Sequence, residues 1–232
     1  MEVTSADVIG SNTRSSVVAP WWHTVGLLVL FVGIGIATST LQRSMPATEA
    51  PSPILLYVPL LTIEWILFAY VWFGLRSNPA ALRAVVGSAW TTTRAFRDVA
   101  FAACVWLMWT GIATVWDRVA GDLANPAAKA LLPHGVVATL LWVLVAASAG
   151  FVEEAIFRGY FLRQFAAWTR SVSVGVIAQA VLFGLLHGYQ GSAALLRIIV
   201  YGALLGALAV WRGSTRPGMI AHAWTDIAAA FH

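Results

Sequence analysis

The sequence predicts an all-α protein that crosses a membrane several times. Of its 232 residues, 59% are hydrophobic and only 10% are charged. A soluble domain carries roughly 25% charged residues, so a water-soluble fold of this size would have too few charges to cover its surface. The apolar residues also come in runs of about 20, the length that an α-helix needs to cross the hydrocarbon core. Lipid is therefore the predicted solvent for most of the chain.

Seven apolar segments and one amphipathic segment are predicted to be helical. A spanning helix takes about 17–25 mostly apolar residues. Residues 77–98 instead carry Arg83, Arg94 and Arg97 among apolar residues, which is typical of a helix lying at the interface. Residues 119–133 form a more polar connection. The predicted spans are 21–41, 54–75, 99–116, a fourth that begins at 136 and continues through 158, then 171–186, 193–211 and a short seventh at 217–231.

The positions of the fourteen basic residues predict the orientation. With the amino terminus in the cytoplasm, nine of them face the cytoplasm and three face outside, in agreement with the positive-inside rule. An extra span at 77–98 would place four later arginines on the wrong side. The nine are Arg14, Arg76, Arg83, Arg94, Arg97, Arg163, Arg170, Arg212 and Arg216, and the three are Arg43, Arg118 and Lys129.

These counts predict one membrane domain, residues 21–232, after a cytoplasmic tail of residues 1–20, with the carboxy terminus outside. The first apolar run lacks a small-residue cleavage site soon after it, which favours a retained span over a cleaved signal peptide. An Arg- and Ala-rich composition without eukaryotic targeting features favours the inner membrane of a bacterium.

Ionisable residues inside the predicted spans are the strongest functional signal. A charge at the centre of a spanning helix costs at least about 2.5–3.5 kcal/mol, so such residues mark candidate functional sites. Four of the ten acidic residues fall within apolar spans. All of the costly groups except Glu64 lie in roughly the last third of the chain. They are Glu64, Glu153, Glu154, Arg158, His187, Arg197, His222 and Asp226.

Two adjacent glutamates begin this cluster. Glu154 and Arg158 are four residues apart with the acid first, the favourable order for an intrahelical ion pair. Glu153 is rotated by about 100° from Glu154 on a helix, so it can face a different partner. One arginine beside two carboxylates leaves one carboxylate uncompensated, which makes it a candidate proton acceptor.

Two later helices repeat the four-residue spacing, with Phe183 and His187 on one and His222 and Asp226 on the other. Each pair alone is more simply explained as a structural contact within the core. Together, a carboxylate pair, two histidines and a further carboxylate are the ingredients of a proton-abstracting hydrolase site or of a metal site. The sequence leaves both alternatives open.

Three short motifs occur in order on successive apolar segments: EExxxR at 153–158, FxxxH at 183–187 and HxxxD at 222–226. Gly159 and Tyr160 extend the first motif. In this order and spacing, the motifs resemble the CAAX protease and bacteriocin-processing family (CPBP, also called Abi) of intramembrane endopeptidases. The resemblance covers about residues 145–232, within a catalytic core at about 136–232, and the first 140 residues show only membrane spans.

The resemblance implies a role for each motif residue. The family's catalytic glutamate falls on Glu153, and Glu154 belongs to the same motif, with Arg158 holding one of the two. His187 would act with Glu153 to activate a water for attack on the scissile peptide. The implied catalytic residues are Glu153, Glu154, His187, His222 and Asp226, with Arg158 and Phe183 in support.

The third motif and the use of a metal leave alternatives open. His222 and Asp226 would stabilise the oxyanion or orient a group. Family members vary between Asn and Asp at the last position, and an ionised Asp cannot donate a hydrogen bond to an oxyanion. Two histidines with Glu or Asp are chemically adequate for zinc, and the resemblance slightly favours the metal-free Glu/His mechanism. The candidate zinc ligands are His187, His222, Glu153 and Asp226.

The sequence thus predicts an intramembrane peptidase that resembles CAAX prenyl proteases. Its expected partners are the lipid bilayer and a membrane-associated or prenylated-type protein or peptide, and nucleic acid is not expected. A non-enzymatic membrane scaffold or immunity protein would keep the motifs as structural contacts. A proton-coupled transporter would also use buried Glu and His groups, but the internal repeats expected of it are not found.

Two intramembrane charges have no role in the motifs. Glu64 has no obvious partner in the sequence and is expected to form the wall of a polar cavity. Arg197 is expected to be structural and to neutralise Glu154 or Asp226, although a position near the terminal carboxylate of a substrate is also open.

Overall fold

The computed structural model describes residues 17–44, 52–87, 91–120 and 132–231. Within these ranges the regular structure is helical and includes no β-strand, which confirms the all-α class. The regular structure also includes a π-helical turn, Ala155–Phe161, and a 3-10 turn, Gly188–Gln190. The helices are α1 (Trp21–Ser44), α2 (Pro53–Leu75), α3 (Pro79–Val86), α4 (Thr92–Ala120), α5 (Val136–Glu154), α6 (Leu162–Thr169), α7 (Val172–Leu186), α8 (Ser192–Arg212) and α9 (Arg216–Ala229).

Several of these helices have the length and composition of membrane spans. Among the described residues, four helical segments are long and apolar enough to cross a bilayer: Pro53–Leu75, Thr92–Val119, Val136–Thr169 and Ala194–Arg212. Trp21–Ala37 and Val172–Leu186 are shorter apolar helices. The chain is therefore a polytopic membrane protein, as the composition predicts.

The seventh predicted span is a short helix in the structure, as the sequence predicts. Residues 217–231 correspond to α9, which has 14 residues and thus a length of about 21 Å. By itself, α9 thus covers about two-thirds of the roughly 30 Å hydrocarbon core. Its residues Met219, Ala221 and His222 are buried within the protein, which explains how such a short, partly polar helix is accommodated.

The predicted interfacial helix at 77–98 has different bounds in the structure. Of its described residues, Pro79–Val86 form a separate helix, α3, whose start is capped by the Asn78 side chain and whose end is set by Gly87 at φ +88°. The long helix α4 already begins at Thr92, so Arg94 and Arg97 belong to its first turns. Long arginine side chains near a helix end can reach the interface, which is why a spanning helix tolerates them there. With 8 residues, α3 is too short to be a further membrane span. This agrees with the arginine count, which also argues against a span at 77–98.

Contacts among the basic segments place them at one end of the bundle. The Thr215 hydroxyl, before α9, donates to the Val85 carbonyl at 3.0 Å. Arg163, on α6, donates to the Ala84 carbonyl at 3.5 Å. Thus α3, α6 and the turn between α8 and α9 lie together, which is the arrangement that the predicted distribution of arginines requires.

Helices α5 and α9 approach each other closely around the motif residues. A Cβ atom on Gly150 would lie 2.8 Å from the Met219 carbonyl oxygen and 2.8 Å from the Cβ of Ala223. A Cβ atom on Gly218 would lie 2.9 Å from a carboxylate oxygen of Glu154. The two glycines therefore allow the first and third motifs to come into contact.

The first helix is joined to the motif segment by buried hydrogen bonds. The Tyr160 hydroxyl lies 2.8 Å from Nδ1 of His23 and 2.9 Å from the Thr24 hydroxyl. The Gln164 side chain accepts from the backbone N–H groups of Val18 and Ala19, and its amide donates to the Ala19 carbonyl. These contacts attach the start of α1 to the π-helical turn and α6.

Candidate functional site

The first motif lies where α5 passes into the π-helical turn. Glu154 is fully buried, and its Oε1 forms an ion pair with Nη1 of Arg158 at 2.8 Å. The Arg158 guanidinium lies over the ring of Phe183 at 4.4 Å. Single π-helical turns are frequent at functional sites. The arginine of the motif thus neutralises Glu154, and the cation–π contact with Phe183 holds it in place.

Glu153 is left in a different environment from its neighbour. Its side chain is 24% exposed, whereas that of Glu154 is completely buried. Its Oε2 lies 3.8 Å from Nε2 of His222. Arg158 thus pairs with Glu154, whereas Glu153 faces His222.

His222 lies at the centre of the site, among three carboxylates. Its Nδ1–H donates to Oε1 of Glu154 at 3.0 Å, because a carboxylate can only accept. Its Nε2 faces Oδ2 of Asp226 at 3.5 Å as well as Oε2 of Glu153. This one imidazole therefore joins the first motif to the third.

Two aromatic rings fix the plane of the His222 imidazole. Phe183 and Tyr201 both meet it edge to face, with ring centroids at 5.9 Å and 5.8 Å. The Tyr201 hydroxyl is in turn within hydrogen-bond distance, 3.0 Å, of the Thr225 hydroxyl on α9. Phe183 therefore supports both Arg158 and His222, while the role of Tyr201 has no counterpart in the sequence motifs.

His187 occupies the end of α7. Its Nδ1–H donates to the backbone carbonyl of Phe183 at 2.8 Å. This hydrogen bond selects the tautomer in which Nε2 carries the lone pair. The imidazole is partly exposed and interacts electrostatically with Asp226 on α9. The second motif thus reaches the same polar region as the other two.

Glu64, on α2, belongs to this region as well. Its Oε2 accepts a hydrogen bond from the Ser148 hydroxyl on α5 at 2.5 Å. It also interacts electrostatically with Glu153, Asp226 and His222. The sequence singled out Glu64 as a costly charge, but Ser148 gives no such signal because a serine is ordinary in a spanning helix.

Arg197 lies elsewhere, so the expectation that it neutralises Glu154 or Asp226 is wrong. Its Nη1 donates to Oδ1 of Asp117, near the end of α4, at 2.7 Å. Glu154 is already compensated by Arg158. The arginine is thus structural, as expected, but it joins α8 to α4 outside the motif cluster.

Among the described residues, no three or more His, Cys, Asp or Glu side chains are placed so that they could hold a metal ion. His222 bonds to Glu154 through Nδ1 and faces Glu153 and Asp226 with Nε2.

Comparison with known families agrees with the motifs. Residues 135–228 match the family described as type II CAAX prenyl endopeptidase, Rce1-like. The matched segment contains all three motifs and Ser148, whereas Glu64 precedes it. No curated protein and no solved structure matches the chain. Residues 135–228 are thus similar to the family that the three motifs resemble.

Proposed function

We propose that this protein is an intramembrane endopeptidase in which Glu153 activates a water molecule for attack on a peptide bond. The observation that supports this proposal most strongly is that two adjacent glutamates lie in different environments. Glu154 is buried and paired with Arg158, whereas Glu153 is accessible and faces His222. An accessible carboxylate beside imidazole groups is suited to accept a proton from water.

The chemistry follows from the positions of the side chains. Glu153 takes a proton from the water, and the hydroxide attacks the carbonyl carbon of the scissile peptide. His187 orients the water by accepting its second hydrogen bond at Nε2. When the C–N bond breaks, the proton held by Glu153 passes to the leaving nitrogen, so the carboxylate is regenerated.

His222 and Asp226 complete the proposed site. The hydrogen bond from Nδ1–H to Glu154 fixes the imidazole, and Nε2 faces the accessible carboxylates. When it carries a hydrogen, Nε2 can donate to the developing oxyanion. An ionised Asp226 can only accept, so its role is to orient His222. No step in this proposal requires a metal ion.

The substrate class follows from the location of the site. The polar residues lie on helices that form a membrane domain, so the scissile peptide belongs to a membrane-associated protein or peptide. A prenylated-type carboxy terminus is a substrate only in a host that makes such proteins.

The chain is proposed to reside in the inner membrane of a bacterium with its amino terminus in the cytoplasm. The clustering of arginine-bearing segments at one end of the bundle supports this orientation. A reporter fused after His232 should then be accessible from outside, and a cytoplasmic reporter would reverse the topology.

Comparison of peptide termini by mass spectrometry tests the proposed activity. Membranes of the natural host containing wild-type protein are compared with membranes containing Glu153→Gln at matched expression. Glutamine keeps the shape of the side chain but cannot act as a base. Asp117→Asn, which alters a distant ion pair, serves as the control.

New peptide termini should appear with the wild type and with Asp117→Asn but not with Glu153→Gln. Equal profiles for wild type and Glu153→Gln would contradict the proposal. That result would favour the non-enzymatic scaffold, in which the buried network of Glu154, Arg158 and His222 has only a structural role.

A further inference from the structure

Positive charge is concentrated at the end of the bundle where α3, α6 and the turn before α9 lie together. The chain segments that meet there, residues 76–98, 162–172 and 211–217, contain eight arginines and one acidic residue, Asp98. The Asp98 carboxylate lies 3.9 Å from the guanidinium of Arg212, and this pair joins the start of α4 to the end of α8. One carboxylate neutralises one cation, so this end of the protein keeps a large net positive charge.

Arg163, on α6, is a partly buried cation within this end of the bundle. A guanidinium has five N–H donors. In Arg163, Nη2 donates to the Ala84 carbonyl at 3.5 Å, which is long for a hydrogen bond of this kind. Its Nε is buried and has no hydrogen-bond partner among the described residues. A buried donor that belongs to a cation is costly to leave unsatisfied, so Arg163 is suited to receive an anion.

Arg216, the first residue of α9, lies against the end of the same short helix α3. A Cβ atom on Gly87 would lie 2.9 Å from Cζ of Arg216, so the guanidinium crosses the end of α3 where the glycine leaves room. Ala84, which Arg163 contacts, and Gly87 are three residues apart, which is about one helical turn. The carboxyl-terminal end of a helix carries only about half a negative charge, so capping the end of α3 does not account for two arginines.

Exposed tryptophans place these arginines at the level of the lipid headgroups. Trp168, in the last turn of α6, is 43% exposed, and Trp211, in the last turn of α8, is 68% exposed. Tryptophan is enriched where the hydrocarbon core meets water. Arg163 precedes Trp168 by five residues, or about 7.5 Å along α6. An anion at this depth is at the level of a phospholipid phosphate, which favours a lipid over an acidic segment of a protein.

We propose that Arg163 and Arg216 form a binding site for the phosphate group of an anionic phospholipid at the end of α3. Phosphate oxygens accept charge-assisted hydrogen bonds from guanidinium groups, and one of them can satisfy the buried Nε of Arg163. Basic pockets between membrane helices bind anionic headgroups in this way. The site includes none of the motif residues, and its occupation does not depend on the proposed peptidase activity.

Native mass spectrometry of the purified full-length chain tests this site. The protein in an uncharged detergent is mixed with equal amounts of dioleoylphosphatidylglycerol, which is anionic, and dioleoylphosphatidylcholine, which is zwitterionic and has the same acyl chains. The wild type should retain the phosphatidylglycerol in preference to the phosphatidylcholine. Arg163→Gln combined with Arg216→Gln should lower this preference about tenfold or more, because each arginine near an anionic headgroup contributes roughly a factor of five. A wild type that retains the two lipids equally would overturn the inference.

Arg94→Gln combined with Arg97→Gln is the matched control. It removes the same number of charges from the same end of the protein, but from two exposed residues in the first turns of α4. This double variant should keep most of the preference for phosphatidylglycerol. An equal loss in the two double variants would overturn the inference, since the lipid would then respond to the charge of the whole surface and not to a site at α3.

Two further arms separate charge from fold and lipid from free phosphate. Arg163→Lys combined with Arg216→Lys keeps both charges and should keep most of the preference, because lysine also binds phosphate. A lysine pair as defective as the glutamine pair would overturn the role of charge. Inorganic phosphate in large molar excess should leave the phosphatidylglycerol bound, and its displacement would assign the site to free phosphate instead of a lipid.

Discussion

Arg158 determines which of two adjacent carboxylates is available for chemistry. It lies four residues after Glu154 and forms an ion pair with it in a completely buried position. Removing one partner of a buried ion pair leaves an uncompensated charge, which typically costs about 3–5 kcal/mol. The arginine therefore contributes to the stability of the protein as well as to the separation of the two glutamates.

Arg158→Gln should lower the free energy of unfolding by about 3–5 kcal/mol, because Glu154 loses its cation. Unfolding in detergent, followed by the fluorescence of the twelve tryptophans, measures the change. The double variant Arg158→Gln with Glu154→Gln removes both charges and should recover much of the stability. A double variant as unstable as the single one would show that the charge of Glu154 is not the cause.

Asp226→Asn tests whether the third motif requires the negative charge of Asp226. Asparagine can accept a hydrogen bond from His222 through its carbonyl and can also donate one to an oxyanion. We therefore expect Asp226→Asn to retain most of the cleavage rate and Asp226→Ala to lose it, as measured by the appearance of peptide termini. Equal loss in both variants would mean that the negative charge of Asp226 is itself required.

At the scale of helices, the contact between α5 and α9 brings the first and third motifs together. Gly150→Ala should lower the free energy of unfolding by roughly 1–3 kcal/mol, because the new methyl group meets the backbone of α9 at 2.8 Å. The variant should also lower the cleavage rate, because α5 and α9 must move apart and the contact between Glu154 and His222 is then lengthened.

Gly33→Ala is the matched control for this substitution. Gly33 lies on α1, and a Cβ atom added there meets nothing within 4 Å. Because alanine favours a helix by up to about 1 kcal/mol over glycine, Gly33→Ala should be neutral or stabilising. A similar loss of stability in both alanine variants would contradict the packing explanation.

The apolar pattern of the sequence predicts which segments are helical more accurately than it predicts where each helix begins and ends. The span predicted at 54–75 agrees with α2 (Pro53–Leu75) to within a residue. The predicted start at 99 lies seven residues after Thr92, where α4 begins, because Arg94 and Arg97 favour an interfacial helix over a span. The residue that actually ends α3 is Gly87, whose positive φ is a local backbone property that the apolar pattern does not reveal.

At the scale of the whole molecule, each of the three motifs has its own place in the fold. Glu153 lies on α5, His187 follows the last residue of α7, and His222 lies on α9. Spacing along a single helix could predict the pair of Glu154 and Arg158. It could not predict that His222 donates to Glu154 across two helices, since that contact depends on how α9 packs.

Two charged residues outside the motifs have partners that the sequence does not predict. Glu64 and Arg197 were both visible as costly residues in apolar segments. Only the packing of α2 on α5 reveals that Glu64 accepts a hydrogen bond from Ser148, and only the packing of α8 near α4 reveals that Arg197 pairs with Asp117. Pairings of this kind join residues about 80 positions apart, beyond the reach of local patterns.

The measurement that tests the central claim most directly is cleavage by the purified protein. Wild-type protein, Glu153→Gln and the control Asp117→Asn are each reconstituted in vesicles with membrane proteins extracted from a host strain that lacks this chain, and new peptide termini are quantified over time. We expect termini to accumulate with the wild type and with Asp117→Asn, and Glu153→Gln to fall at least a hundredfold below them, because a general base contributes about 10²–10⁴ in rate. Equal accumulation with Glu153→Gln and the wild type would contradict the assignment of Glu153 as the base.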